Sequence, residues 1–569
     1  MLGKQPAASG VGIGILLAVL VAAAAFHTAS GRAACVILIK PSAAMNVTGK
    51  NDVRRLKRLA EGVGWDFSPD ALTNTGLKRI GIKTIRLIDV DIAGRFTKQG
   101  KFILGTPAQF QAGQPARLLA GLATCRVVGA IPHIVIAMRL PPQLRLPLRN
   151  IPKSQRPEAV KTGRVSDYGP TNWRWYRRYC RAYFKYILIN QKFPSAEFEV
   201  GNEPETSGAF FYSHWPWPAM GSAAGYAAYF KEYKNVARAA EDFQKKHPGQ
   251  HVILGGLASG WPFTFKFGAF NWSVRSLRDC ARQKVKLDFL GLHYYGDISS
   301  LDGQYPTLFP PFTQMLRVTK AARDRYYPHL PIQITEWGPD TNGTNQPIAM
   351  INADNVGAAW SAAFLNTLLQ GGVDKALLLL TTDLAQKGRS GQWRDVWGCQ
   401  SLFTNPVALG QPYPKAIYNV LEMIHRLVGR RVEATRGGKT VGCFASADKR
   451  TKRVTVLLWN YGCRIPGSEV GVPVDYATRQ AVVLRIREAR AFFGAHRVRF
   501  KRWLVSRTVS NAYYLWKHKR LNQRRAALQQ VDHGSFRIIH GKVDIGFAMP
   551  PSSVSLVELY GQPDPGAGK

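Results

Sequence analysis

The heptapeptide Phe198-Glu199-Val200-Gly201-Asn202-Glu203-Pro204 decides how this chain is read, together with its counterpart Ile332-Gln333-Ile334-Thr335-Glu336-Trp337-Gly338. Each begins as a short hydrophobic strand and runs out into a polar loop, with a glutamate at the point of exit. In a parallel barrel every strand delivers its C-terminal end to the same rim, so two such exits would bring two carboxyl groups to one cleft. An isolated Asn-Glu-Pro is an ordinary strand-terminating turn. Its place in the pattern of the whole chain raises it above that.

From Leu77 onward, short β-branched runs alternate with longer amphipathic stretches, the pattern of strands followed by crossover helices. Residues 84–88, 131–137, 196–200, 252–256, 287–292, 332–335 and 375–381 read as buried strands. Helical segments are expected at 173–189, 223–243, 271–283, 312–325, 353–369 and 414–428. With a first strand placed at 36–39, the count reaches eight βα units, which predicts a (β/α)8 TIM barrel. An open doubly wound sheet competes, but no glycine-rich phosphate turn follows the early strands. Beyond Arg431 the character becomes β-rich, as in Arg453-Val454-Thr455-Val456-Leu457-Leu458-Trp459, and predicts a C-terminal β-sandwich. The expected organisation is an export signal or N-terminal anchor at 1–34, a barrel at 35–430, a sandwich at 431–562 and a disordered tail at 563–569.

The leader reading rests on Lys4 followed by an uninterrupted apolar stretch from Val11 to Phe26 and then small and polar residues. It places the protein in the periplasm or outside the cell, with a retained membrane anchor as the alternative. Seven cysteines lie scattered without metal-ligand spacing, which points away from a zinc site; Cys443 and Cys463 could pair across a hairpin. The 77 Lys and Arg against 36 Asp and Glu give a formal net charge of +41, concentrated at 145–181 and 479–525. Such a field gathers anions, whether acidic polysaccharide or a membrane surface, or serves solubility alone. Nucleic acid is disfavoured, since no helix-turn-helix, zinc finger or ribonucleoprotein motif is present. Membrane contact is expected only through the N-terminal segment or the basic surface.

Two facing carboxyls are the equipment of glycoside hydrolysis, one attacking the sugar and the other shuttling the proton. Glu203 is the candidate acid/base and Glu336 the candidate nucleophile. Asn202 offers an amide to the sugar hydroxyl beside the reacting carbon. Arg86 and Tyr295, at the ends of the second and sixth strands, are candidate donors to Glu336. His293 is a supporting candidate behind them. Aromatic rings crowd the same rim: Tyr212, Trp215, Trp217, Trp261, Tyr294 and above all Trp337, whose faces suit sugar C–H surfaces. Taken singly, Arg86 would be an ordinary ion-pair partner and His293 a satisfied core histidine; their common position at strand ends favours a site.

These residues resemble the retaining glycoside hydrolases of clan A, most closely family 39, which holds β-xylosidases, α-L-iduronidases and exopolysaccharide hydrolases. The likeness extends beyond the two glutamates to Ile131-Pro132-His133, Leu140-Pro141-Pro142, Leu254-Gly255-Gly256, Gly291-Leu292-His293-Tyr294-Tyr295, Pro414-Lys415-Ala416-Ile417-Tyr418 and Val509-Ser510-Asn511-Ala512-Tyr513-Tyr514-Leu515-Trp516. It implies a barrel with a β-sandwich, acid/base chemistry at Glu203, a nucleophile at Glu336, and neither metal nor organic cofactor. Two departures stand out: Gly201 occupies a position where the xylosidases usually carry Trp, and the eighth strand lacks the Trp that commonly floors the sugar site. Sugar specificity is therefore not carried over. A uronate-directed enzyme of β-glucuronidase or heparanase type, a transglycosylase, and a barrel that binds polysaccharide without cutting it remain open alternatives.

Overall fold

The computed structural model describes residues 34–45, 51–64, 70–136, 140–144, 170–204, 223–260, 272–296, 309–340, 349–435, 440–464, 474–475 and 477–562. The apolar leader, Tyr212, Trp215, Trp217, Trp261, the tail at 563–569 and the side chain of Cys463 lie outside the described residues.

Eight parallel strands close a barrel: β1 (Gly62–Gly64), β2 (Thr84–Leu87), β3 (Ile131–Ile136), β4 (Ser195–Val200), β5 (His251–Ser259), β6 (Phe289–Tyr295), β7 (Ile332–Gly338) and β8 (Lys375–Leu378). Each pairs with the next in chain order, and β8 closes on β1 through Leu377 opposite Gly62. The helices between them form the outer layer. The helix Asn355–Gly371 begins where Asp354 accepts the Val356 N–H and ends at Gly372, whose φ of 79° is the left-handed turn that stops a helix. Among the described residues, no helix is long and apolar enough to cross a membrane.

The first strand is not the one expected. Residues 36–39 lie in the strand Cys35–Ala44, which pairs parallel with Gln480–Ile486 and antiparallel with Arg430–Ala434, so the span 35–430 is not barrel throughout. Both settings bury alternate apolar residues, here Ile37 and Ile39, and periodicity cannot tell them apart. The true β1 is only Gly-Val-Gly because the closing seam leaves room for little but backbone. A Cβ on Gly64 would sit 1.7 Å from the carbonyl oxygen of Leu379, and one on Gly62 2.5 Å from that of Ala376.

The second unit is a nine-stranded sheet in the order Gln529–Arg537, Arg497–Val505, Ser553–Gln562, Arg453–Asn460, Val441–Asp448, Arg430–Ala434, Cys35–Ala44, Gln480–Ile486 and Val543–Met549. Strand alternation gives it two apolar faces. Val454, Val456 and Leu458 join Val557 and Leu559 in the sheet's own core, while Leu457, Trp459, Leu556 and Trp503 join the core shared with the barrel. One face of the sheet thus belongs to the barrel's hydrophobic interior, and the other has a core of its own.

Gly64→Ala is expected to cost about 1–3 kcal/mol through overpacking at the seam. The thermal unfolding midpoint of the variant measures it, and an unchanged midpoint would mean the seam accommodates a side chain.

Candidate active site

The sequence of β4 fixes the floor of the site. Its alternation sends Ala196, Phe198 and Val200 towards the helices, where Phe198 meets Phe184 edge-on at 4.8 Å, and turns Glu197 and Glu199 into the barrel. Just past the strand the backbone turns sharply, with Gly201 at φ 80° and Glu203 at φ 47°, and the Glu203 N–H donates to the Ala258 carbonyl at 2.8 Å. A non-glycine residue held in the left-handed region carries strain of the kind found at functional sites. Gly260 clears space for it: a Cβ there would lie 2.0 Å from the Glu203 carboxyl carbon. At φ 80° Gly201 holds a left-handed conformation in which a side chain would be strained.

Arg86 of β2 joins the two ends of the site. Its Nε and Nη2 both lie 2.8 Å from Glu199 Oε2, its Nη1 donates to Glu336 Oε1 at 2.5 Å, and its Nη2 donates to Asn202 Oδ1 at 2.7 Å. Tyr295 O–H donates to the other Glu336 oxygen at 2.6 Å. His293 Nδ1 is hydrogen-bonded to Glu203 Oε1 at 2.8 Å and lies 3.4 Å from Glu336 Oε2. One carboxylate oxygen from each glutamate and one His293 nitrogen lie within 4.8 Å of one another. The structure therefore brings Arg86, Asn202, Glu203, His293, Tyr295 and Glu336 together, all of them expected from sequence. The cluster Glu203, His293 and Glu336 is also a donor set of the kind that holds a divalent cation, although the Nδ1 it would use is already committed to the carboxylates.

Electrostatics favours the charged form of Glu336. Burial pushes the Glu336 carboxyl up, but His293, Arg86 and the Tyr295 hydroxyl outweigh it and hold the group below the ordinary carboxylate range. Burial likewise opposes charge on His293, and the two carboxylates reverse that, raising the imidazole above its usual value. Tyr295 is driven well above the normal phenol range, first by burial and then by Glu336, so it stays a donor.

A layer of charge beneath the site has no counterpart in the sequence reading. Glu199 is fully buried; burial opposes its ionisation, yet Arg86 and then His133 hold it far below the ordinary range. His133 bridges downward, with Nδ1 2.8 Å from Glu197 Oε2 and Nε2 3.3 Å from Glu199 Oε2. Glu197, desolvated but countered by Lys375 at 2.5 Å and by His133, is lowered to about 2. The readable sign was the pair of acids two residues apart inside a barrel strand, since a buried charge survives only with partners.

Trp337 departs from expectation. It is fully buried in the helix layer, 6.2 Å from Trp360 and 5.7 Å from Phe364 between ring centroids, and offers no face to the cleft. Tyr294 does the same against Phe312 and Phe364. The reason is strand geometry: neighbours of inward Glu336 and Tyr295 point outward.

A parallel barrel with two carboxylates at the ends of β4 and β7, joined to a β-sheet unit, is the architecture of the glycosidase barrels. The chain has the fold of glycoside hydrolase family 39 enzymes, and the resemblance read from its sequence is borne out at that level. It superposes on the family 39 enzyme of Xanthomonas axonopodis pv. citri with a TM-score of 0.67 and 17% identity, covering 93% of this chain and 98% of that one. A monomeric β-xylosidase from Caulobacter crescentus CB15 gives 0.65 and 18%, over 93% and 100%. A bacterial orthologue of human α-L-iduronidase gives 0.59 and 13%, over 94% and 84%. A β-xylosidase of Geobacillus stearothermophilus is 29% identical over 178 residues, a match that spans 30% of this chain and 30% of that relative's length. No family model matches the chain.

Tyr295→Phe removes a donor that favours the ionised form of Glu336, so the apparent pKa of that carboxyl is expected to rise; isotope-edited titration of the glutamates reads the shift, and an unmoved Glu336 would contradict the assignment. Glu199→Ala leaves the Arg86 charge buried with one carboxylate fewer, and about 3–5 kcal/mol of stability should be lost, measurable by denaturant unfolding.

Proposed function

We propose that the protein is a retaining glycosidase that cleaves an oligo- or polysaccharide outside the cytoplasm by double displacement. The observation that carries the reading is the close approach of Glu203 and Glu336, with carboxylate oxygens within 4.8 Å. Retaining enzymes hold their carboxyls about 5–5.5 Å apart, whereas inverting enzymes leave roughly 6.5–9.5 Å for a water.

Each group has a step suited to its surroundings. Glu336, kept anionic by Arg86 and Tyr295, attacks the anomeric carbon. As the glycosidic C–O bond breaks, Glu203 gives its proton to the leaving oxygen, and the sugar becomes an ester of Glu336. Water then enters, Glu203 takes its proton, the oxygen attacks the same carbon from the vacated face, and Glu336 leaves as a carboxylate. His293, within reach of both carboxyls, fixes their relative orientation as charge moves from one to the other. Asn202, held by Arg86, presents its amide to the neighbouring sugar hydroxyl. The same residues serve a transglycosylase when an acceptor sugar replaces water.

The apolar leader supports export, and the likeness to the Geobacillus stearothermophilus β-xylosidase supports a carbohydrate substrate. The positive charge supports a uronate-bearing substrate as a second reading; such an enzyme would lose affinity steeply with rising salt.

Glu203→Gln and Glu336→Gln are each expected to reduce turnover of a responsive aryl glycoside by at least a thousandfold while the thermal midpoint is kept. A 2-deoxy-2-fluoro glycoside should label the wild type on the peptide containing Glu336, by mass spectrometry. Label on another residue, or full turnover in either variant, would remove this mechanism; binding of polysaccharide without turnover would point to a non-catalytic barrel.

A further inference from the structure

The strand Ser553–Gln562 packs beside the barrel, with Val554 and Leu556 in the core the two share. Its start is tied to the mouth: Asn355, at the N-terminus of the helix after β7, donates to the Ser552 carbonyl at 2.7 Å. Its end lies at the opposite pole. There Arg426, just past the helix Ala416–His425, covers the ring of Trp503 at 4.9 Å, and Trp503 pairs with Leu556. Beyond Trp503 the barrel no longer covers the sheet, and the same face continues into solvent as Arg497, Arg499 and Lys501 on one strand and His533, Ser535 and Arg537 on the next.

The composition of this ledge is one-sided. Tyr560 lies opposite Arg499 on one side and Arg453 on the other, with Lys501 Nζ 6.0 Å from its ring. Glu558 stands opposite Lys501 in the ladder and pairs with Arg453 at 3.1 Å. Among the described residues, no carboxylate pairs with Arg497, Arg499, Lys501 or Arg537. Arg497 and Arg537 stand directly opposite each other in the ladder. Like charges in cross-strand register destabilise a sheet, and a bound anion relieves that repulsion. Alternate side chains on a strand stand about 7 Å apart, so Arg497, Arg499 and Lys501 form a straight row of about 14 Å. Such a row fits a linear polymer with regularly spaced charges better than one small anion.

We propose that this ledge binds a linear anionic polysaccharide, with carboxylates or sulfates on the cation row and a sugar face on Tyr560. The choice of polysaccharide over other polyanions rests on the glycosidase reading and on a rigid, flat surface whose one ring is ringed by cations. Because the ledge faces away from Glu203 and Glu336, it attaches the protein to the polymer and leaves the mouth free. Attachment and turnover are therefore separable.

The test uses the full chain and polygalacturonate as probe, with affinity electrophoresis and calorimetry at several salt concentrations. The wild type should bind, more weakly as salt rises, and should not be retained by neutral arabinoxylan. R497Q/R499Q/K501Q should weaken polygalacturonate binding at least tenfold with aryl-glycoside turnover unchanged, and R499E alone should weaken it at least threefold should the triple variant not fold. Unchanged binding in the folded variants, equal retention by arabinoxylan, or preferential capture by anionic phospholipid vesicles or single-stranded DNA would overturn the proposal. Absence of turnover in the wild type would refute the glycosidase reading without touching the binding measurement.

Discussion

The buried guanidinium of Arg86 is the interaction on which the rest of the site depends. It lies between two carboxylates, Glu199 below and Glu336 above, and also holds the Asn202 amide. A charge in this position would be prohibitively costly alone; paired on both sides it fixes three side chains, from β4, the turn after it and β7. Lysine, a point charge on a flexible stem, could not make those contacts at fixed angles.

The layers beneath Arg86 show how a barrel interior can hold so much charge. Lys375, Glu197, His133, Glu199, Arg86 and Glu336 alternate in sign or accept from one another through the barrel. Five strands, β2, β3, β4, β7 and β8, contribute one or two members each, so parallel registration sets their order. The network is rigid because its members are paired with one another and all but Lys375 are buried. Rigidity at this point is what keeps Glu336 charged and aimed, while Glu203 sits on a strained turn whose backbone is tied to Ala258.

The same separation of roles extends to the whole molecule. One pole of the barrel carries the carboxylates, and the open end of the sheet carries Arg497, Arg499, Lys501 and Arg537. The sheet couples the two poles mechanically, since its barrel-facing residues belong to the barrel's own hydrophobic core. A strand of ten residues thus links a chemical site to a charged surface without either disturbing the other.

Local sequence determined the barrel class, seven of its eight strands, and the six polar residues that converge at the mouth, because buried strands are apolar runs and a functional carboxylate appears where such a run ends. It could not reveal β1, whose glycines are demanded by backbone from another strand, nor the place of Cys35–Ala44, whose alternation suits a sheet as well as a barrel. It misjudged Trp337 and Tyr294, since their orientation follows from strand register, and it overlooked Glu197, Glu199 and His133, whose meaning lies in partners far away in the chain. Tertiary structure alone decided these, because the direction of a side chain and the pairing of a buried charge are set by neighbours that sequence distance does not record.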